Sequence, residues 1–291
     1  MTKEHQPIKV LDHGYVRLVD YMGDDASIVR AARVSYNAAW RTGDNEKSDE
    51  NLIRYLLRCH HSTPFEAGEI QLEVKAPIFV IRQWMRHRTW SFNELSARYK
   101  KIFEEFYIPD ADKIGTQSKS SKQARDLSDA TNVGLAKREG QRSQIRLNAS
   151  SCFDTYHQLL ADGVPRELAR INLPLNTYSH MFAKVNLLNL FKFLQLRSHE
   201  HAQYEIRVYA DAIYEIIKPL FPIACKAFED YMQGARSFSR MECEIVQRVK
   251  KLSPDTDALY LNDAEYLKLS KREQVEFCEF MGIEKKEISN G

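Results

Sequence analysis

Residues 86–99, Arg-His-Arg-Thr-Trp-Ser-Phe-Asn-Glu-Leu-Ser-Ala-Arg-Tyr, gather three arginines, a histidine, a glutamate, an asparagine and two serines. Trp90, Phe92 and Tyr99 stand among them. Guanidinium forks match phosphate oxygens with paired hydrogen bonds. Asn93 and Glu94 supply the donors and acceptors that read a planar ring. A solvated basic helix end is the plain alternative for such a charge cluster. The order of the residues decides against it.

The segment needs a frame, and the flanking sequence supplies one. Asp24 or Asp25 is placed to cap a helix over 27–34. Leu52, Ile53, Leu56 and Leu57 form one face of a second helix from about Asp49 to Cys59. The period then shortens: Ile70, Leu72 and Val74 alternate with Gln71, Glu73 and Lys75, which predicts a half-buried strand. Pro77 suits the first turn of a following helix, with Ile78, Ile81 and Met85 inward and Arg82 and Arg86 stacked four apart. The arginine-rich segment is thus expected to begin at a helix end and continue as loop.

Residues 110–145 are rich in Lys, Ser, Gln and Arg, which predicts a mobile surface loop over part of them. Helical periodicity resumes over 143–161, and Asp162-Gly163-Val164-Pro165 is a break. A strand is expected within 175–185, then helices over 187–196 and 200–218 ended by Pro219 and Pro222. In the tail, Ser270-Lys271-Arg272-Glu273 is a capping-box pattern before Val275, Phe277 and Phe280. The mixture of strands and helices reads as α/β or α+β.

The 291 residues are 43% hydrophobic and 28% charged, enough for a proper core. A net charge of +2 gives no broad basic field for nucleic acid. No apolar run reaches membrane-span length, and the N-terminus lacks a signal-peptide core, so a cytoplasmic protein is expected. Cys59, Cys152, Cys225, Cys243 and Cys278 are scattered, with no Cys-x-x-Cys pair, so neither a disulfide framework nor a zinc knuckle is suggested. His60-His61 lacks a third ligand at suitable spacing, and the histidines of His199-Glu200-His201 splay apart if helical. No metal is expected.

Arg-His-Arg, two residues, Ser, one residue, Asn-Glu, one residue, Ser, one residue, Arg-Tyr resembles the motif of flavin-dependent thymidylate synthases at every fixed position. Residues 31–36, 62–66, 75–80, 165–170 and 194–197 are similar to that family's other landmarks, in order, so the resemblance spans about residues 8–232. It implies a central, mostly antiparallel sheet with packed helices over residues 1–233. Residues 234–291 are left as a helical extension of unknown role. It also implies reductive methylation of dUMP to dTMP, with FAD reduced by NADPH as hydride source. Methylenetetrahydrofolate would give the carbon and leave as tetrahydrofolate. The family's homotetramers share active sites between subunits, and neither nucleic acid nor membrane is an implied partner.

By the same resemblance Gln83, Trp84, Met85 and Arg86, then Glu94, Leu95, Ser96, Ala97 and Arg98, with Arg170 and Arg197, are the dUMP contacts. Arg197 is the catalytic residue, stabilising an anionic uracil ring. Thr63, Arg86, His87, Arg88, Glu94, Asn186, Leu188 and Lys192 are the FAD contacts. Read alone, Thr63 is equally a helix cap before Pro64, and Arg170 a surface ion pair with Glu167. Ser96, with no base beside it, reads as a phosphate ligand rather than a nucleophile. Leu188 stands where the family commonly has a polar or basic residue, and Lys192 where it has Asn or His. The plain reading there is an apolar helix face with Lys192 solvated. The other classes are a nucleotide- or RNA-binding protein and a cysteine- or metal-dependent enzyme; bound flavin separates the synthase from both.

Overall fold

Apolar residues at every second position, Ile70, Leu72, Val74 and Ala76, turn one face of a strand into the core. In the computed structural model that strand is central. β1 (Ile8–Val10), β2 (Gly14–Met22), β3 (Glu69–Pro77), β7 (Tyr178–Asn186) and β4 (Ser91–Glu94) hydrogen-bond in that order, every pair antiparallel. The register sets Val16 beside Val74 and Val74 beside Met181, and Leu72 beside Ala183, so one face is continuously apolar. The structure describes residues 6–119, 125–128, 132–235, 237–252, 263–269 and 271–281. They fall into two units, residues 1–234 and 235–291.

Helices cover the apolar face. α3 (Ile78–Trp84) packs on β3, α6 (Leu187–Arg197) on β7, and α7 (Tyr204–Ile217) on β1 and β2. Trp84, Phe191, Phe193, Tyr209, Phe221 and Phe228 are fully buried between them. Each such side chain contributes about 1.5–3 kcal/mol on burial. α1 (Asp25–Arg33), α2 (Glu46–Arg58) and α8 (Pro222–Phe228) close the sides. Local chemistry sets their starts. Asp24 and Ser27 cap each other's backbone at α1, Asn45 accepts from Ser48 N at α2, and Asn186 accepts from Asn189 N at α6.

The opposite sheet face carries a buried carboxylate. Glu73 accepts from Tyr15 Oη (3.0 Å) and Arg17 Nε (2.5 Å), and its Oε1 lies 2.6 Å from His180 Nε2. Burial raises its pKa, but the hydrogen bonds from Arg17, Tyr15 and His180 outweigh that and hold it below the usual range.

Several expectations need correction. α2 starts at Glu46, not Asp49, because its capped first turn is polar and carries no apolar signal. α3 turns Val80, Ile81 and Trp84 inward; Met85 lies past its end and is exposed, and Arg86 is outside the helix. The arginine-rich segment does not stay a loop, since Ser91–Glu94 is the edge strand β4. Much of 110–145 is ordered: a 3-10 turn (Ala111–Lys113), a hairpin of β5 (Thr116–Gln117) and β6 (Arg125–Asp126), and the start of α4 (Asn132–Ala161). Arg125 binds Glu205 (2.5 Å), and Arg142 binds the Pro109 carbonyl (3.1 Å). Gly134 and Gly140, both poor helix formers, and the charged residues Lys137, Arg138 and Glu139 between them hid the start of α4 from periodicity.

α5 (Arg166–Ala169) follows the predicted break, where Gly163 takes φ +82. His199 and His201 lie in the turn before α7, not on a helix, with ring centroids 4.9 Å apart. The second unit holds α9 (Arg240–Leu252), α10 (Ala264–Lys268) and α11 (Lys271–Met281), linked by Gln247 Nε2 to Phe280 O (3.2 Å). Ser270 lies outside the described residues. No helix among the described residues is long and apolar enough to cross a membrane.

Candidate active site

Three chain segments meet where α3 and α6 end. After Trp84 the backbone turns, His87 N donating to Trp84 O at 2.9 Å, which folds His87 inward and leaves Arg86 and Arg88 exposed. The His87 ring stands edge-on to Phe193, at 4.9 Å and 68°. Arg197, the last residue of α6, donates from Nε to His87 Nε2 (2.9 Å) and from Nη2 to Gln83 O (3.3 Å). Since Nε2 accepts, the ring proton sits on Nδ1. Burial, then the Arg197 charge, push His87 down to about 4, so the imidazole is neutral at neutral pH. Burial lowers the Arg197 pKa too, yet a guanidinium keeps its charge. Gln83 also donates from Nε2 to Gln203 Oε1 at 2.5 Å.

A second group lies along β4 and its continuation. Glu94 Oε1 accepts from Ser179 Oγ (2.6 Å), and Leu95 N donates to His180 O (2.8 Å), which fixes the segment to β7. Ser96 Oγ accepts from Arg98 N at 3.3 Å and has no base beside it among the described residues. Arg98 Nε pairs with Glu167 Oε2 (3.1 Å), and Arg166 donates to Tyr99 O (3.3 Å), so α5 and the 96–99 segment are tied together.

A third group borders a cavity of about 920 Å³ whose wall includes Arg33, Tyr36, Arg41, Tyr55, His61 and Thr63. The 3-10 turn Thr63–Ala67 packs on α6 through Phe65 and Phe191, centroids 6.3 Å apart. Ser62, not Thr63, occupies the cap position of that turn, so the capping reading of Thr63 fails and its exposed side chain faces the cavity.

The remaining candidates sort by exposure. Trp84 and Leu188 point into the core, with Trp84 stacked on Phe193 at 4.9 Å. Asn186 caps α6. Lys192 is exposed, and like Arg86 and Arg88 it has no ion pair among the described residues. Arg170 does not pair with Glu167, which takes Arg98 instead, so the surface-pair reading of Arg170 fails. Arg170 is exposed between Leu168 (54% exposed) and Ile171 (78%). No group of three or more His, Cys, Asp or Glu among the described residues is arranged to hold a metal. Sequence reasoning missed Gln203, Ser179 and the Arg98 partner Glu167. Each meets its partner across 69 or more residues, and no local pattern reports such a contact.

Residues 17–223 match the family described as thymidylate synthase complementing protein. A flavin-dependent thymidylate synthase of Gluconobacter oxydans is 49% identical over 245 residues, covering 83% of this chain and 78% of its own length. One from Rickettsia bellii is 42% identical over 278 residues, covering 90% and 92%. Among solved structures, the UMP/dUMP methylase PolB from Streptomyces cacaoi, bound with 5-Br dUMP, superposes with a TM-score of 0.68 at 36% identity. That match covers 78% of this chain and 99% of PolB. With the arginine-rich segment and the landmarks around it in place, the chain belongs to the flavin-dependent thymidylate synthase family.

Proposed function

We propose that the chain converts dUMP to dTMP, taking one carbon from methylenetetrahydrofolate and a hydride from FAD reduced by NADPH, and releasing tetrahydrofolate. Arg197 carries the reading. Of its five N–H groups, two are held by His87 and Gln83, and three have no protein partner among the described residues. A half-buried cation with free donors is suited to an anionic uracil ring, whose C5 becomes the nucleophile. The neutral His87 fixes the guanidinium without neutralising it. Cysteine is not needed as nucleophile, and burial, then Asp25 and Glu229, push Cys225 up to about 12.

Gln83 through Arg86, with Glu94 through Arg98, form the dUMP site. Arg98 and Ser96 take the phosphate, Glu94 and the Leu95–Ala97 backbone take the sugar side, and Trp84 supports the segment from below. Arg170 reaches the nucleotide of a neighbouring subunit. Its exposed charge between Leu168 and Ile171, with no ion pair among the described residues, supports that role, as do Tyr36 and Trp40, 87% and 78% exposed, as apolar surface for a homotetramer.

The residues fit FAD. Arg86, Arg88 and Lys192 are exposed cations without ion pairs among the described residues, suited to a pyrophosphate, and Thr63 opens onto the 920 Å³ cavity. Bound there, the flavin supplies the hydride chemistry. His87 and Glu94 would orient it and Asn186 would meet it at the start of α6. Leu188, 6% exposed, offers only its backbone and an apolar edge. Residues 1–233 form the synthase domain, residues 234–291 an extension outside it, and the protein acts in the cytoplasm.

The test is the visible spectrum of the purified protein, before and after anaerobic NADPH, with and without dUMP. A flavin band that bleaches with NADPH, and faster with dUMP, is expected, followed by dTMP formation when methylenetetrahydrofolate is added. A protein that takes up no FAD on reconstitution refutes the proposal.

A further inference from the structure

The Gln83–Gln203 contact has no place in the roles above. Gln203 stands at the start of α7, in the cap position, yet its side chain makes no capping bond. It reaches instead across 120 residues of sequence to accept the Gln83 Nε2 proton at 2.5 Å. Gln83 is thereby held twice, at its backbone carbonyl by Arg197 and at its side-chain amide by Gln203. We infer that Gln203 is a positioning residue for nucleotide recognition, fixing the Gln83 amide before the pyrimidine arrives. The inference rests on the reading of Gln83 as a dUMP contact.

The chemistry follows from counting donors and acceptors. A glutamine amide has two N–H donors and one carbonyl acceptor. With one N–H given to Gln203, Gln83 keeps one donor beside one acceptor. A uracil edge presents the complement, the N3–H donor beside a carbonyl acceptor. A free glutamine would sample many rotamers and lose that freedom on binding; one already anchored does not. The benefit therefore falls on binding of the uracil nucleotide rather than on the chemical step. Gln203 touches neither reacting carbon nor flavin in this scheme, and acts only through Gln83. Because Gln203 is exposed and caps nothing, replacing it leaves the packing of α7 intact.

The test is a double-mutant cycle on the FAD-loaded enzyme, following dTMP formation as dUMP is varied. Gln203→Leu is expected to raise the dUMP KM about fivefold to tenfold, the cost of ordering one freed glutamine side chain on binding, with a much smaller change in kcat. Gln203→Glu accepts the same hydrogen bond and should stay within about twofold of the parent. Gln83→Ala should raise the KM at least as much as Gln203→Leu, and adding Gln203→Leu to it should change nothing further. If Gln83→Ala raises the KM and Gln203→Leu does not, the inference falls while the dUMP site stands. Independent, multiplying effects in the double variant also overturn it. If Gln83→Ala leaves the KM unchanged, the reading of Gln83 fails and takes the inference with it. Gln203→Ala serves in the cycle should the leucine variant not fold.

Discussion

Arg197→Met keeps an unbranched apolar stem and removes the charge with all five N–H groups. Two losses follow, and their sizes differ. In the ground state the uracil ring is neutral and only the donor is charged, so the contact is a hydrogen bond of about 1.5–3 kcal/mol. That is roughly tenfold to 150-fold in dUMP affinity. As C5 attacks the carbon donor the ring carries negative charge, and losing a donor aimed at developing charge costs about 10²–10³ in turnover. The three N–H groups without a partner among the described residues make Arg197 the donor with capacity to spare for that charge. His87 adds a complication, because burial and then Arg197 together hold its pKa at about 4. Without the arginine that value rises, so the comparison belongs at about pH 8, where the imidazole is neutral in both proteins. Equilibrium binding of dUMP and turnover measured as dTMP give the two numbers. A kcat within about threefold of the parent, or an affinity loss as large as the loss in kcat, would refute the assignment.

His87 gives a pH signature in stability. Its folded value of about 4 lies below the ordinary 6.5, so the unfolded chain binds the proton first and stability falls as pH drops from 6.5 towards 4. Thermal melts of His87→Gln across that window should show a shallower decline than the parent; parallel curves would contradict the sign. Glu167→Gln breaks an ion pair whose members are 57% and 52% exposed, so urea unfolding should register about 0–1 kcal/mol, and a loss above about 2 would show a contact stronger than a screened surface pair. Glu73→Leu leaves Tyr15, Arg17 and His180 without their shared acceptor in a site where the carboxylate is 8% exposed. A destabilisation of about 3 kcal/mol is expected, and a change below about 1 would mean that water replaces the carboxylate at no cost.

Where a residue pattern is local and repetitive, the sequence carried the structure. Ile70, Leu72 and Val74 announced β3, and Asn186 with the apolar run after it belongs to a capped α6. The failures share one cause. The first turn of α2 is polar on all sides, the early turns of α4 carry Gly134, Gly140 and the charged Lys137, Arg138 and Glu139, and β4 is four residues long with one of them half-buried and the rest exposed, so none presents the alternation or stripe that marks an element. The site divides in the same way. The arginine-rich segment is contiguous and was legible as a unit. The partners that hold it, Gln203 for Gln83, Glu167 for Arg98 and Ser179 for Glu94, are brought in by the fold from 69 to 120 residues away.

One strand explains how these segments converge. β7 pairs with β3 on one edge and β4 on the other, and runs directly into α6. β3 runs directly into α3 at the opposite end, where Pro77 faces Tyr178 at the start of β7. Gln83, Glu94 and Arg197 are therefore all fixed relative to β7, through α3, through β4 and through α6. The lengths agree. Nine residues of β7 span about 30 Å. The seven residues of α3 and the eleven of α6 advance about 10 and 16 Å from its two ends, on the same face of the sheet. Their tips must then arrive close together, as the Arg197–His87 and Arg197–Gln83 hydrogen bonds require. One residue more or fewer in α6 would rotate Arg197 by about 100° and move it about 1.5 Å, breaking both bonds without disturbing the sheet. The length of that helix is thus as much a determinant of the site as the arginine at its end.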